Sequence, residues 1–402
     1  MLSVMRFLHD SVLTAFRGSR RYLAMVAVLL AVVAVGVRAY LVQLRQGMIV
    51  TGLTDQVSWG TYIANFAFLI ALAVGAVMLV IPAYIFHQAH AKRVVLIAQG
   101  VAVAACVSAL MFVLVDLGRP DRIFFMMPVL GSLNLPRSLL AWDTITIPGY
   151  ILLNLCIPVY VLFRRYTGHE VTERRLFPWI ILTIAWAFAA QAVEAFIFTA
   201  DVARPMWHTP VLAPRFLASA ACSGPAFLIV ALWGLRRWGG LQFPDALFNL
   251  LALIVAAALQ LNLIMFGAEL FSELYRPNEH NASAIYLFLG LGEHDALVPW
   301  IWSAIAMEFT AAIILMIRPL RQRTPLLLAA SVVTVVGVWI EKAMGLVVPG
   351  FIPSPLGEVV EYAPSAIEMQ VSAGIWALGL LIFVVLAKVA IAIDRGDLRA
   401  AT

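Results

Sequence analysis

The sequence predicts an all-α integral membrane protein of about ten transmembrane helices. Three observations predict it. Of the residues, 63% are apolar and only 12% are charged, a balance outside that of water-soluble domains. Apolar stretches long enough to cross a bilayer core of about 30 Å, roughly 20 residues each, recur along nearly the whole chain. Basic residues gather in alternate connections between those stretches, the charge asymmetry of a polytopic protein.

The elements follow in order. Residues 1–21 form an N-terminal segment that suits a short interfacial helix with its arginines toward lipid headgroups. The first apolar stretch, Tyr22–Leu44, is too long for a secretory signal and has no small-residue cleavage motif behind it, so it is expected to remain as a helix. Nine further spans are expected at Trp59–Phe86, Val94–Val115, Thr144–Phe163, Pro178–Thr199, Phe216–Leu235, Ala246–Phe271, Val298–Ile317, Pro325–Leu346 and Ile367–Ile393, within one membrane domain of residues 22–393. Residues 394–402 make a tail. With the N-terminus in the cytoplasm, Arg6, Arg17, Arg20, Arg21, Lys92, Arg93, Arg164, Arg165, Arg174, Arg175, Arg236, Arg237, Arg318, Arg321, Arg323, Lys388, Arg395 and Arg399 lie inside. Arg45, Arg119, Arg122, Arg137, Arg204, Arg215 and Arg276 lie outside. This split of 18 to 7 puts both termini in the cytoplasm. The outer connections Asp116–Asp143, Ala200–Pro214, Ser272–Leu297 and Val347–Ala366 are the longer ones, either a platform for a partner or ordinary loop packing.

Ligands for a metal or cluster are scarce. Cys106, Cys156 and Cys222 stand alone without a CxxC pair and read as apolar packing residues. His9, His87, His90 and His169 fall on the inner side and His208, His280 and His294 in outer loops, so no histidine pair sits deep enough for a b-type haem. No metal site is expected.

Ionisable groups inside a membrane are costly and point to function by default. Here they are Arg38, Glu194, Glu269, Glu308, Glu341 and Lys342, with Asp116, Asp143 and Glu368 at outer helix ends. Gln191 and Glu194 share one helical face, as do Asn262, Phe266, Glu269 and Glu273. Such stripes suit a buried ligand or interhelical hydrogen bonds. Glu308 lies near the midplane and is a proton-relay candidate, with Glu194 and Glu269 as outer neighbours. Glu341 and Lys342 point apart on a helix, so each is expected to pair with another span, Glu368 being one candidate. Near the outer surface Trp59, Tyr62, Asn65 and Phe66 suit a quinone ring, or else the aromatic belt. Asp143, where an outer loop turns into a helix, is either a proton acceptor or an N-cap.

These residues carry a resemblance. The runs Val57–Leu69 (VSWGTYIANFAFL), Asp116–Arg122 (DLGRPDR), Pro136–Asp143 (PRSLLAWD), Ala203–His208 (ARPMWH), Pro214–Phe216, Ser223–Pro225 and Pro349–Gly357 (PGFIPSPLG) resemble the NrfD/PsrC family of quinone-interacting membrane subunits. The likeness covers most of the chain and is nearest the longer branch that includes DsrP of the DsrMKJOP complex, with the HmcC-type subunit next. It implies two four-helix bundles plus extra helices: a quinone bundle over residues of about 57–200, built from the second to fifth spans, and a second over about 214–393. It also implies an anchor subunit in a bacterial or archaeal cytoplasmic membrane, exchanging electrons between menaquinone or ubiquinone and a periplasmic ferredoxin-like iron–sulfur subunit. A multihaem cytochrome c and further subunits of a respiratory, sulfur-metabolism complex are the implied company, with no haem or iron–sulfur cluster in this chain and no nucleic acid. The family's site positions carry over to Trp59, Tyr62 and Asn65 around the quinone, with Asp143 or Asp116 accepting protons and Arg119 steadying the carboxylate. Some relatives have a histidine near the start of the second span or in place of Asp116; this chain does not. A secondary transporter or ion channel using Glu308, Glu269 and Lys342 is the main rival, although inverted repeats are not evident. A scaffold that binds no quinone is the other.

Overall fold

The computed structural model describes residues 2–92, 94–126, 130–275 and 281–399, all of it helix and connection, with no strand among them. Arg93, Arg276 and His280, read above as loop residues, and Thr402 at the tail's end lie outside the described residues. The helices are α1 Leu2–Phe16, α2 Arg20–Gln46, α3 Thr61–Val77, α4 Ala89–Lys92, α5 Val95–Asp116, α6 Leu139–Tyr166, α7 Glu173–Thr199 and α8 Leu212–Trp238. They continue as α9 Asp245–Tyr275, α10 Ala282–Phe288, α11 Val298–Met316, α12 Arg318–Arg321, α13 Thr324–Val338, α14 Gly345–Val347 and α15 Ala366–Arg395. Among the described residues ten helices are long and apolar enough to cross a membrane, so the chain is a multi-pass, all-α membrane protein. The end of the bundle where α1 packs is termed inner, the opposite end outer.

The centre is α3, in which every residue except Ile63 is buried. Its sequence is apolar on all sides, as a helix surrounded by other helices must be. It crosses α8 closely, because a Cβ on Gly75 would sit 1.8 Å from the Ala220 carbonyl oxygen; small residues are what let two backbones meet inside a bilayer. At the rim α2 lies against α15, where Gly36 meets Gly374, and most of its apolar surface stays exposed for lipid. Phe7 of α1 packs between Leu162 and Tyr166 of α6 and Ile393 of α15, and the Tyr166 hydroxyl donates to Asp10 at 2.7 Å. The N-terminal segment therefore docks on the inner end.

Several expected boundaries move. Trp59 precedes α3 rather than opening it, with Gly60 as the flanking residue. The fourth and fifth spans begin earlier than expected, at Leu139 and Glu173, and run through Pro148, Pro158 and Pro178. Prolines inside membrane helices are tolerated because neighbouring groups re-satisfy the freed carbonyls. Two π-helical turns interrupt the regular winding, Ile81–Ile85 after α3 and Trp339–Met344 after α13. The second carries Glu341 and Lys342.

Candidate functional site

The buried charges gather toward the outer end, on α6, α7, α8, α9 and the π turn after α13. Lys342 reaches Glu194 of α7 at 3.7 Å, donates to the Ala67 carbonyl of α3 at 3.2 Å and lies 3.9 Å over the Phe216 ring. Its sequence neighbour Glu341 pairs instead with Arg215 of α8, and the same guanidinium pairs with Glu269 of α9. A π turn displaces side chains from regular helical spacing, which suits two adjacent charges with different partners. Both therefore pair with other spans, but Glu368 is not the partner. Its carboxylate caps α15 with Ser365, accepts from Gly52 N at 2.7 Å and from the Tyr362 hydroxyl at 2.7 Å. Burial pushes the Tyr362 phenol up from its ordinary pKa, so it stays a donor.

Arg215 is the residue that sequence reasoning misplaces. Beginning the sixth span at Phe216 leaves it among the outer loop charges, yet it lies in α8 and is only 8% exposed. A signal is present: Arg215, Ser219 and Ser223 recur at four-residue spacing and make one polar stripe. Arg215 holds one ion group, Glu269–Arg215–Glu341, and the peptide bond between Glu341 and Lys342 joins it to a second, Gln191–Glu194–Lys342, so that the two make one ion chain. Glu308 is buried on α11 and accepts from the Asn262 amide at 3.2 Å, leaving Oε1 without a hydrogen-bond partner among the described residues.

Asp143 and Asp116 occupy different neighbourhoods. Asp143 is 4% exposed and accepts from the Thr146 hydroxyl at 3.3 Å, while its Oδ2 has no partner among the described residues. It lies within electrostatic range of Glu194. The N-cap reading is corrected, because Ser138 caps α6 and Asp143 sits beyond the first turn. Asp116 ends α5 with its Oδ1 unpartnered. It lies within electrostatic range of Tyr62 and Glu368. Arg119 steadies neither carboxylate: it binds the exposed Asp121 at 2.8 Å and, by that hydrogen bond, holds the Asp121 carboxyl below its ordinary pKa. Two residues apart in a solvated turn, that pair forms more readily than a reach to a buried acid.

The three expected quinone residues also diverge. The Tyr62 hydroxyl is fully buried and donates to Gln43 Oε1 at 2.7 Å, and Gln43 in turn donates to the Val115 carbonyl at 2.8 Å. Asn65 accepts from the indoles of Trp339 at 3.1 Å and Trp376 at 2.9 Å and donates to the Thr61 carbonyl. Trp59 stacks on Trp207 at 5.7 Å and meets Phe198 and Phe351 edge-on. The polar groups of Tyr62 and Asn65 are thus committed to protein, whereas Trp59 keeps an aromatic wall beside the outer turn of α7. Among the described residues no three His, Cys, Asp or Glu side chains converge as metal ligands would.

The model of a family described as polysulphide reductase, NrfD, matches residues 49–352. A putative dimethyl sulfoxide reductase membrane subunit of Halobacterium salinarum is 25% identical over 400 residues, covering 90% of this chain and 89% of that one. The Hdr-like menaquinol oxidoreductase integral membrane subunit of Archaeoglobus fulgidus is 25% identical over 386 residues, covering 91% and 92%. A selenate reductase subunit of Mesobacillus selenatarsenatis is 26% identical over 396 residues, covering 87% and 89%.

Proposed function

We propose that this chain, which belongs to the NrfD polysulphide reductase family, is the membrane anchor of a multi-subunit oxidoreductase and oxidises or reduces membrane quinone near its outer end. The relatives, named as subunits of reductases and of a menaquinol oxidoreductase, support the anchor role across nearly the whole chain. The observation that carries the chemistry is the Asp143 carboxylate, buried yet with one oxygen unpartnered, within electrostatic range of Glu194. A quinol supplies two electrons and two protons and needs an acceptor for its hydroxyls. Asp143 Oδ2 fits that need, and the half-buried Trp59, backed by the fully buried Trp207, fits the ring as an aromatic wall. Tyr62 and Asn65 act behind this wall, holding α3 against its neighbours.

Asp143 takes the quinol's two protons one after the other and passes each outward, and the two electrons leave for an iron–sulfur subunit docked on the outer end. Exposed apolar side chains in the outer connections, among them Ile49, Val202, Leu289 and Leu356, suit such a partner. The test is Asp143→Asn in the assembled complex. Turnover with quinol is expected to fall at least about tenfold, a barrier increase of about 1.4 kcal/mol, with assembly unchanged. Full turnover in Asp143→Asn together with a fall in Asp116→Asn would move the proton-accepting role to Asp116. The narrower reading, a DsrP-type subunit, requires c-type haem and further subunits to co-purify with the chain; their absence would reject it.

A second reading rests on the buried ion pairs themselves, of which Lys342–Glu194 ties the π turn after α13 to α7 and Arg215 ties α8 to α9 and to that same turn. A transporter built on them would move ions across liposomes containing this chain alone, without quinol.

A further inference from the structure

One intramembrane charge takes no part in the chemistry above. Arg38 sits on α2, the rim helix, whose 27 residues include only three buried ones, Gly36, Ala39 and Gln43. Those three face the bundle, where Gly36 meets Gly374 of α15. Arg38 follows Gly36 by two residues and, at about 100° per residue, points to the opposite side. It is exposed and makes no hydrogen bond, ion pair or ring contact among the described residues. Eight residues separate it from the outer end of α2 at Gln46, about 12 Å along the axis. An arginine at that depth, turned to hydrocarbon, calls for an anionic group.

The residues in line with Arg38 say what brings that group. Of the five alanines of α2, Ala39 is buried, and the other four, Ala24, Ala27, Ala31 and Ala34, are exposed at intervals of three, four and three residues. Arg38 and then Leu41 continue the same alternation toward the outer end. Bulky, exposed Val28 and Val37 flank the line on either side. A seam repeating every 3.5 residues is the one along which two helices pack with a left-handed crossing, and small side chains let backbones approach inside a bilayer.

Three occupants compete for this face, and the charge separates them. A lipid phosphate can neutralise Arg38 from any side of a rim helix and gives no reason for the alanines to share its line. A second copy of this chain, in the same orientation and face to face, sets Arg38 against Arg38. A carboxylate on another subunit's helix meets both features: it accepts two parallel hydrogen bonds from the guanidinium in a medium where such bonds are strong, while the alanines admit its backbone.

We propose that the exposed face of α2 from Ala24 to Leu41 is the docking seam for a transmembrane helix of a partner subunit, set in register by an Asp or Glu of that helix against Arg38. The seam rests on the anchor role proposed above and not on the quinone chemistry.

The assembled complex is tested in its native membranes, with photoreactive benzoylphenylalanine replacing Ala31 or Ala34 on the seam, or Val28 or Val37 beside it. Both seam positions are expected to give adducts with one and the same integral membrane subunit, at yields at least about tenfold above those of the flanking positions, which meet lipid. Adducts with a second copy of this chain, adducts with lipid alone, or equal yields at all four positions would overturn the seam. Arg38→Glu, combined with the Ala34 replacement, is expected to cut the adduct at least about tenfold. The unfolding temperature of the chain itself is expected to stay unchanged, since Arg38 holds nothing within it among the described residues. Exchanging the acid mapped opposite Arg38 for lysine is expected to restore the adduct in Arg38→Glu. An undiminished adduct in Arg38→Glu before that exchange would overturn the pairing. Subunits that co-purify with the chain yet never crosslink to α2 would defeat the seam and leave the anchor role standing, whereas a chain that purifies from the membrane with no other subunit would defeat both.

Discussion

At the scale of single residues, what matters is how each buried polar group is satisfied. Arg215 holds two carboxylates at once, so Arg215→Leu leaves the buried Glu341 and the largely buried Glu269 unpaired. It is expected to destabilise the protein by about 3–5 kcal/mol, read as a lower unfolding temperature in detergent, whereas Glu308→Gln, whose Asn262 contact survives, is expected to change stability little. Equal unfolding temperatures for wild type and Arg215→Leu would refute the ion chain. Asn65→Leu removes the acceptor of two indoles, at a cost of about 1–3 kcal/mol for each donor left dry. Carboxylates in apolar stretches are conspicuous in the sequence, and so are Asp143, Glu194 and Glu308. Their pairings are not, because Asn65 and Trp339 are 274 residues apart and no local pattern encodes such a meeting. Arg119 shows the converse, since its near neighbour Asp121 is the better partner than any distant acid.

At the scale of elements, the crossing of α3 and α8 is the tightest constraint. Gly75→Val would drive a side chain into the Ala220 backbone, and Gly224→Val would strike Gly75 in return. Both are expected to abolish accumulation of folded protein in the membrane, while Gly100→Ala, whose added Cβ would find its nearest neighbour at 3.9 Å, is expected to accumulate normally. Normal levels of Gly75→Val would show that the crossing is looser than described. All ten spans are legible as elements because apolar length is written directly in the sequence. Their ends are not. Apolarity marks where the bilayer begins, whereas helices such as α6 and α7 run on past it through prolines and polar turns. The π turn at Glu341 and Lys342 is hidden as well, since its cause is tertiary packing rather than composition.

At the scale of the whole molecule, α1 and the end of α15 pack together at one end of the bundle. Reporters fused at the two termini are therefore expected to be active on the same side, and from the basic split that side is expected to be the cytoplasm. A C-terminal reporter active only outside would reverse the assignment of inner and outer faces. Quinone is expected to react at the outer ends of α6 and α7. The most direct measurement is photo-crosslinking of the intact complex in membranes with an azido-quinone, followed by mapping of the modified peptides. Label is expected around Asp143–Thr146 and near Phe198, competed away by excess native quinone. Label confined to the cavity at the inner end that Gln99 and Thr183 line, or label that native quinone does not displace, would contradict an outer site.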